Sequence, residues 1–279
     1  MRLSPIIRSI VEQKRAEVES LTPRLPVKLL RQIVQENRVT QKVDQRSQFE
    51  SALISKTPKF KIIAEIKRAT PLKMLRSTNF APASIAIGYE QAGAVAISVV
   101  TESRFFCGSP IFLPIIRRLV KIPLLRKDFI ITKWQLYETA ILGADAILII
   151  PALFESKSEF EEIYHLANEL NIEPLIEVGD ETDLEYALKL DPKIIGINNR
   201  NFKSDTLEIN IKNSIRLRNS IPKDKIVISE SAITGLEDIL ALADANIERF
   251  LIGSLFMKES DPQLALKNLV DQLKEVKHL

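Results

Sequence analysis

Short apolar runs that each stop at a polar or charged residue constrain this chain more than any other feature. They read Phe60–Glu65, Ala94–Val100, Ile122–Leu125, Ala146–Ile150, Ile172–Val178, Lys193–Asn198, Lys225–Ser229 and Arg249–Gly253. Their spacing of roughly 20–35 residues leaves room for one strand, one helix and two loops per repeat, the plan of an α/β protein with a (β/α)8 TIM barrel of ~250 residues. A doubly wound sheet also alternates strands and helices, but eight runs without a Gly-rich dinucleotide loop favour closure. In a closed parallel barrel the C-terminal strand ends share one face. Glu65 and Lys67, Lys127 and Asp128, Glu177, Asn198 to Arg200, Glu230 and Ser231, Gly253 and Ser254 are thereby predicted to line one mouth.

The first 56 residues lie outside that count. Ser4-Pro5 reads as a helix start, with Ile6, Ile7, Ile10, Val11 and Val18 near a 3.6-residue period. A second helix is expected over Pro26–Glu36, with Leu29, Leu30 and Val34 on its apolar side, and Arg38–Arg46 as a polar connector. Ser47-x-x-Glu50 has capping-box spacing for a third helix through Ile54. These segments are too poor in apolar residues for a core of their own. The expected organisation is one barrel domain over 1–279, in which 1–56 is a helical extension packed on the barrel. Gly93, Gly143 and Asn246 each precede an apolar run and suit the left-handed position that ends a helix. Asp261-Pro262 is expected to cap and start a last helix ending near Leu273.

Composition narrows the function classes. Lys+Arg 39 against Asp+Glu 36 gives a net charge of only +3, too little to argue for nucleic acid. No apolar stretch has the length of a membrane-spanning helix, and the start lacks a signal-peptide core. The single cysteine, Cys107, excludes an internal disulfide and a cysteine-based metal cluster, and a cytoplasmic location is expected. His165, within a predicted helix, and His278, in the tail, read as surface residues, and Trp134 as packing.

The strand ends carry the chemistry. Glu65 and Lys67 are two apart and so face the same side of an extended segment. A lysine entering a barrel mouth, as Lys127 is placed to do, can have its pKa lowered by burial or neighbouring cations and then serves as a proton donor. Glu177 ends a near-continuous apolar strand, an expensive place for a charge unless it is paired or working. Asn198, Asn199, Arg200 and Asn201 offer dense hydrogen bonding. The loops after the last two runs, with a short helix at Ser254–Lys258, have the form that holds a phosphate in such barrels.

IAEIKRATP, LLRKDF, LIEV, GINNRN, VISES and FLIGS, in this order, together with TESRFFCGS at Thr101–Ser109, resemble the indole-3-glycerol phosphate synthase family over nearly the whole chain. The resemblance implies closure of an indole ring on 1-(2-carboxyphenylamino)-1-deoxyribulose 5-phosphate, with loss of CO2 and water, in tryptophan biosynthesis. It implies no metal and no organic cofactor, and a small anionic substrate; a monomer with neither nucleic-acid nor membrane partners is expected. By motif position, Lys127 corresponds to the general acid that protonates the ribulose carbonyl, and Glu177 to the carboxylate assisting proton removal and dehydration. Glu65 matches a carboxylate that orients lysine and substrate hydroxyls, Lys67 the cation holding the substrate carboxylate, and Asn198, with Arg200 beside it, a residue positioning the ribulose. Ser231, Ala232, Gly253 and Ser254 fall at phosphate-contact positions, and Phe106 at an aromatic that packs on the anthranilate ring. The chain departs from the family in the first loop, where Thr70-Pro71-Leu72-Lys73-Met74 replaces Ser-Pro-Ser-x-Gly. It also departs at Gly179, where histidine is common, and at Ala232, where glycine is usual. If that last position needs φ > 0, alanine there costs about 1–2 kcal/mol. The alternatives are a catalytically silent phosphate-ligand barrel and another phosphate-binding barrel enzyme such as phosphoribosylanthranilate isomerase. The latter needs a cysteine and aspartate pair that finds no match here.

Overall fold

The computed structural model describes residues 3–40, 46–76, 78–200, 202–203 and 209–276. Ten strands follow in chain order. They are β1 (Lys61–Ile66), β2 (Ala69–Thr70), β3 (Lys73–Met74), β4 (Ala96–Val100), β5 (Leu124–Lys127), β6 (Ala146–Ile149), β7 (Glu173–Val178), β8 (Ile194–Asn198), β9 (Ile226–Glu230) and β10 (Arg249–Ile252). All but β2 and β3 pair in parallel into a closed barrel, in which β10 returns to β1. Helices cover the outside, so the strands are buried on both faces and read as nearly continuous apolar runs. Each of the eight predicted runs is a barrel strand. The run expected at Ile122–Leu125 is shifted to Leu124–Lys127, and the one expected at Lys225–Ser229 to Ile226–Glu230. Both shifts take a charged residue into the strand, where the pleat fixes its direction.

That alternation decides which side chains reach the interior. On β1, Ile62, Ala64 and Ile66 pack outward against helices, whereas Ile63 belongs to the interior cluster. Leu125, Leu175 and Ile228 are its interior counterparts on β5, β7 and β9. Two residues further along each strand stand Glu65, Lys127, Glu177 and Glu230. A barrel interior is filled by layers of four side chains drawn from alternate strands, and these four come from alternate strands in the barrel order. They form a charged layer stacked directly on an aliphatic one.

The extension supplies α1 (Pro5–Leu21), α2 (Val27–Thr40) and α3 (Arg46–Ile54). Ser4 caps α1 by accepting from the Ile7 N–H, with Pro5 in its first turn. α3 closes the N-terminal end of the barrel: the Glu50 N–H donates to Glu173 at the start of β7, and Arg249 at the start of β10 donates to Leu53 O. α1 lies at the opposite end, with Ile7, Ile10 and Val11 in the interior cluster. α2 starts one residue later than expected and runs on to Thr40, with Leu30 and Val34 buried but Leu29 40 % exposed, so Leu29 is not on its apolar side. α3 starts at Arg46, so Ser47 lies inside the helix and not at the capping position expected for it, while residues 41–45 of the connector and His278 lie outside the described residues. Gly93, Gly143 and Asn246 have φ of 98°, 76° and 61°, as their left-handed role requires. Asp261 caps the last helix, which ends at Glu275. Trp134 is buried and donates to Leu25 O, and His165 is exposed. No helix among the described residues is long and apolar enough to cross a membrane.

Candidate active site

A cavity of about 250 Å³ opens at the C-terminal ends of the barrel strands, with the charged layer as its floor. Lys127 Nζ stands 2.9 Å from Glu177 Oε2 and 2.8 Å from Glu230 Oε2. Asn198 Nδ2 donates to the other Glu177 oxygen at 2.8 Å, and Asn198 Oδ1 accepts from the Arg200 N–H. Glu65 pairs with Lys67 at 2.6 Å, the same-side placement expected from their spacing. Two glycines make this layer possible. A Cβ on Gly196 would stand 2.2 Å from Glu230 Oε1, and one on Gly253 would stand 2.4 Å from Glu65 Oε1.

Electrostatics in this layer runs against one expectation. Burial alone would lower the Lys127 pKa, but Glu177, Glu230 and Glu65 outweigh it and raise it. The ammonium is therefore a firmly protonated donor rather than a weakened base, because its neighbours are anions and not cations. Glu230 is displaced upward. Burial and the charge of Glu177, against the pull of Lys127, push it up to about 8. Burial would also raise Glu65, yet Lys67, Lys127 and Arg200 together hold it below the usual carboxylate range.

The walls come from the loops. Glu102, buried after β4, accepts from three successive backbone N–H groups, Arg104, Phe105 and Phe106, at 3.0, 2.7 and 2.8 Å. This turns the loop so that Phe106 faces the cavity, its ring 6.2 Å from that of Phe129. Phe106 O accepts from the Ala69 N–H, joining this loop to the base of the β2–β3 hairpin. Thr70 and Pro71 line the cavity, while Leu72 and Met74 are 65 % and 47 % exposed. Across the cavity, Ser231, Ala232, Gly253 and Ser254 meet at one wall, and a short helix, Ser254–Met257, follows β10. Ser231 and Ala232 both have positive φ, 65° and 64°, so alanine does occupy a left-handed position.

All eleven residues singled out from the sequence border this one cavity. Asn199 does not join them: its side chain bonds Ser229, Ser231 O and the Ser214 N–H, and so braces the β8 and β9 ends. Asn201 lies outside the described residues. Sequence reasoning gave Glu230 no role and overlooked Glu102, Lys258 and Ile7, which also line the cavity. A signal for Glu230 was present. Ile63-x-Glu65, Leu125-x-Lys127, Leu175-x-Glu177 and Ile228-x-Glu230 repeat one pattern, aliphatic then charged two residues on, in every second strand.

A family model described as indole-3-glycerol phosphate synthase matches residues 7–269 of the chain. Curated proteins named indole-3-glycerol phosphate synthase are similar to it over most of their length. One from Polaromonas naphthalenivorans is 38 % identical over 269 residues, covering 96 % of this chain and 99 % of that protein. One from Acetivibrio thermocellus is 39 % identical over 253 residues, covering 91 % and 94 %. Another, from Caldanaerobacter subterraneus, is 45 % identical over 206 residues, covering 74 % and 79 %.

Proposed function

The chain belongs to the indole-3-glycerol phosphate synthase family, and from that premise we propose how its cavity performs ring closure. The enzyme is a carboxy-lyase of tryptophan biosynthesis that converts 1-(2-carboxyphenylamino)-1-deoxyribulose 5-phosphate into indole-3-glycerol phosphate, CO2 and water. Such a substrate is a dianion or more, with a phosphate at one end and an aryl carboxylate at the other. The site offers a wall of backbone and hydroxyl groups at Ser231, Ala232, Gly253 and Ser254 for the phosphate, with Lys258 close by. Lys67 takes the carboxylate, Phe106 stacks on the aryl ring, and Asn198 and Arg200 hold the ribulose hydroxyls.

In this arrangement the ring carbon bearing the carboxylate bonds to the ribulose carbonyl carbon. Lys127 gives its proton to the carbonyl oxygen as negative charge develops there. The carbon–carboxylate bond then breaks, its electron pair restores the aromatic ring, and CO2 leaves. Lys127, reprotonated from solvent at the open mouth, gives a second proton to the new hydroxyl, which departs as water, while Glu177, 2.9 Å from Lys127, accepts the proton lost from the ring methylene that becomes part of the indole double bond. Glu65 keeps Lys67 oriented. Glu230 faces the same ammonium at 2.8 Å, and burial pushes its carboxyl upward, which weakens its hold on Lys127. Fixing a flexible ribulose chain so that the two carbons meet is a positioning task worth up to ~7–11 kcal/mol.

The observation that carries this reading is the ammonium of Lys127 set between Glu177 and Glu230 at 2.9 and 2.8 Å on the cavity floor. We place the enzyme, as a monomer, in the cytoplasm. Adding the carboxyphenylamino-deoxyribulose phosphate to folded protein should produce indole fluorescence. Folded protein that binds the compound without producing the signal would establish the silent barrel instead.

A further inference from the structure

Lys14 and Asp128 are buried charges beside the catalytic amine, and the mechanism above uses neither. α1, which carries Lys14, crosses the barrel mouth. The Ser4 N–H donates to Phe202 O beyond β8 at 2.9 Å, Ile7 lines the cavity, and Gln13 accepts from Arg104 in the loop that presents Phe106. Lys14 itself is only 3 % exposed, with Nζ 3.2 Å from Asp128 Oδ1 and 2.8 Å from Glu17. A lysine on a helix of this kind ordinarily keeps its ammonium in water.

Asp128 directly follows Lys127. Its carboxylate accepts from Thr101 Oγ1 at 2.6 Å and from the Phe129 N–H at 2.8 Å. The Thr101 N–H in turn donates to Lys127 O at 3.0 Å, which closes a ring of bonds around the Lys127–Asp128 peptide. Arg126 reaches Asp128 only at 3.4 Å, because its guanidinium is committed to Glu138 at 2.7 Å. Lys14 is thus the nearer cation.

We propose that Lys14 is a positioning residue for ring closure. Through its ion pair with Asp128 it fixes the peptide that carries Lys127, and so sets that amine between Glu177 and Glu230. The proposal rests on the reading of Lys127 as the acid. Burial would lower the Lys14 pKa and raise that of Asp128, yet Asp128 and Glu17 keep Lys14 charged, and Lys14 and Arg126 keep Asp128 ionised. A displacement of about 1 Å at a reacting group can cost 10²-fold in rate.

The test is the double variant Lys14→Met/Asp128→Asn, which removes both charges together and leaves neither buried alone. It is expected to melt near the wild-type temperature, to lose at least tenfold in kcat for indole formation, and to keep KM within twofold. Wild-type kcat in the folded double variant overturns the proposal, as does a raised KM with kcat preserved. In the Asp128→Asn background, adding Lys14→Met should cost nothing further in kcat; another tenfold loss there would show that Lys14 does not act through Asp128. Arg15→Ala, which breaks an exposed pair between α1 and Glu155, should leave kcat unchanged. An equal loss in that variant would assign the effect to general loosening of α1 and overturn the proposal. Lys127→Ala, assayed alongside, separates the two readings. If it retains turnover, the acid assignment fails rather than the brace.

Discussion

A protonated amine wedged between carboxylates is held by charge more than by packing, and Lys127 has the strongest such hold in the site. Removing it takes away the ammonium between Glu177 and Glu230. A proton shared by the two carboxyls can then fill that place, so the fold should survive. Lys127→Ala is therefore expected to keep the wild-type circular dichroism spectrum and to lose 10²–10⁴-fold in kcat, about the contribution of a general acid. Turnover within tenfold of wild type would take Lys127 out of that role. Ala232 makes a different argument. Its φ of 64° lies in the left-handed region, where a Cβ costs about 1–2 kcal/mol. Glycine gives back part of that gain through its greater freedom in the unfolded chain. Ala232→Gly should raise stability by about 1 kcal/mol, which for a chain of this size is roughly 2–4 °C in Tm. KM should not change, because φ already has the value glycine would adopt and the backbone N–H keeps its direction. A lower Tm would mean that the alanine methyl makes contacts that outweigh the strain.

At the level of elements, the eight strands were legible because burial on both faces demands apolar residues at nearly every position. Their ends were less so. As apolar runs they stop short of Lys127 and Glu230, yet each of these is the last residue of its strand and lines the mouth. The β2–β3 hairpin was not legible. Its strands are two residues long and are made by local pairing of Ala69 with Met74 and Thr70 with Lys73, which leaves no periodicity to read. The strand glycines carry a requirement that sequence shows only as a small residue. Gly196 sits on β8 where a methyl group would stand 2.2 Å from Glu230 Oε1 and 3.2 Å from Leu175. Gly196→Ala should push Glu230 off Lys127 and lower kcat by about 10²-fold, the scale of a 1 Å displacement in a catalytic layer. Gly235 is the control. Nothing lies within 4 Å of the Cβ it would gain, and its φ of 174° suits any residue. Gly235→Ala should match wild type in kcat, and an unaltered kcat in Gly196→Ala as well would mean that Glu230 can move without consequence.

The whole barrel converts separate strand ends into one electrostatic unit. From sequence, the motif residues were legible one by one, since each sits in a distinctive local string. What was not legible is the sign of their coupling. The expectation that neighbouring cations lower the Lys127 pKa failed because closure brings Glu177, Glu230 and Glu65 to it, residues 50, 103 and 62 positions away along the chain. The same convergence places Glu230, one member of a layer of three carboxyls and one amine, where its own ionisation is opposed. Its pKa is about 8 in the folded state against an ordinary 4.5. The folded protein thus binds a proton that the unfolded chain has released between those values. The stabilising contribution of that proton is fully present below pH 4.5 and is lost as the pH rises through about 8. Glu230→Gln imitates the protonated carboxyl at every pH, so it should remove this dependence. Urea unfolding of both proteins at about pH 5 and about pH 9 tests the point through the difference in unfolding free energy. The variant should gain on wild type between the two conditions, because wild type alone must bury a second unneutralised carboxylate at the higher pH. A difference that stays constant, or moves in favour of wild type at high pH, would mean that Glu230 is ionised throughout and that the layer carries its full negative charge at neutrality.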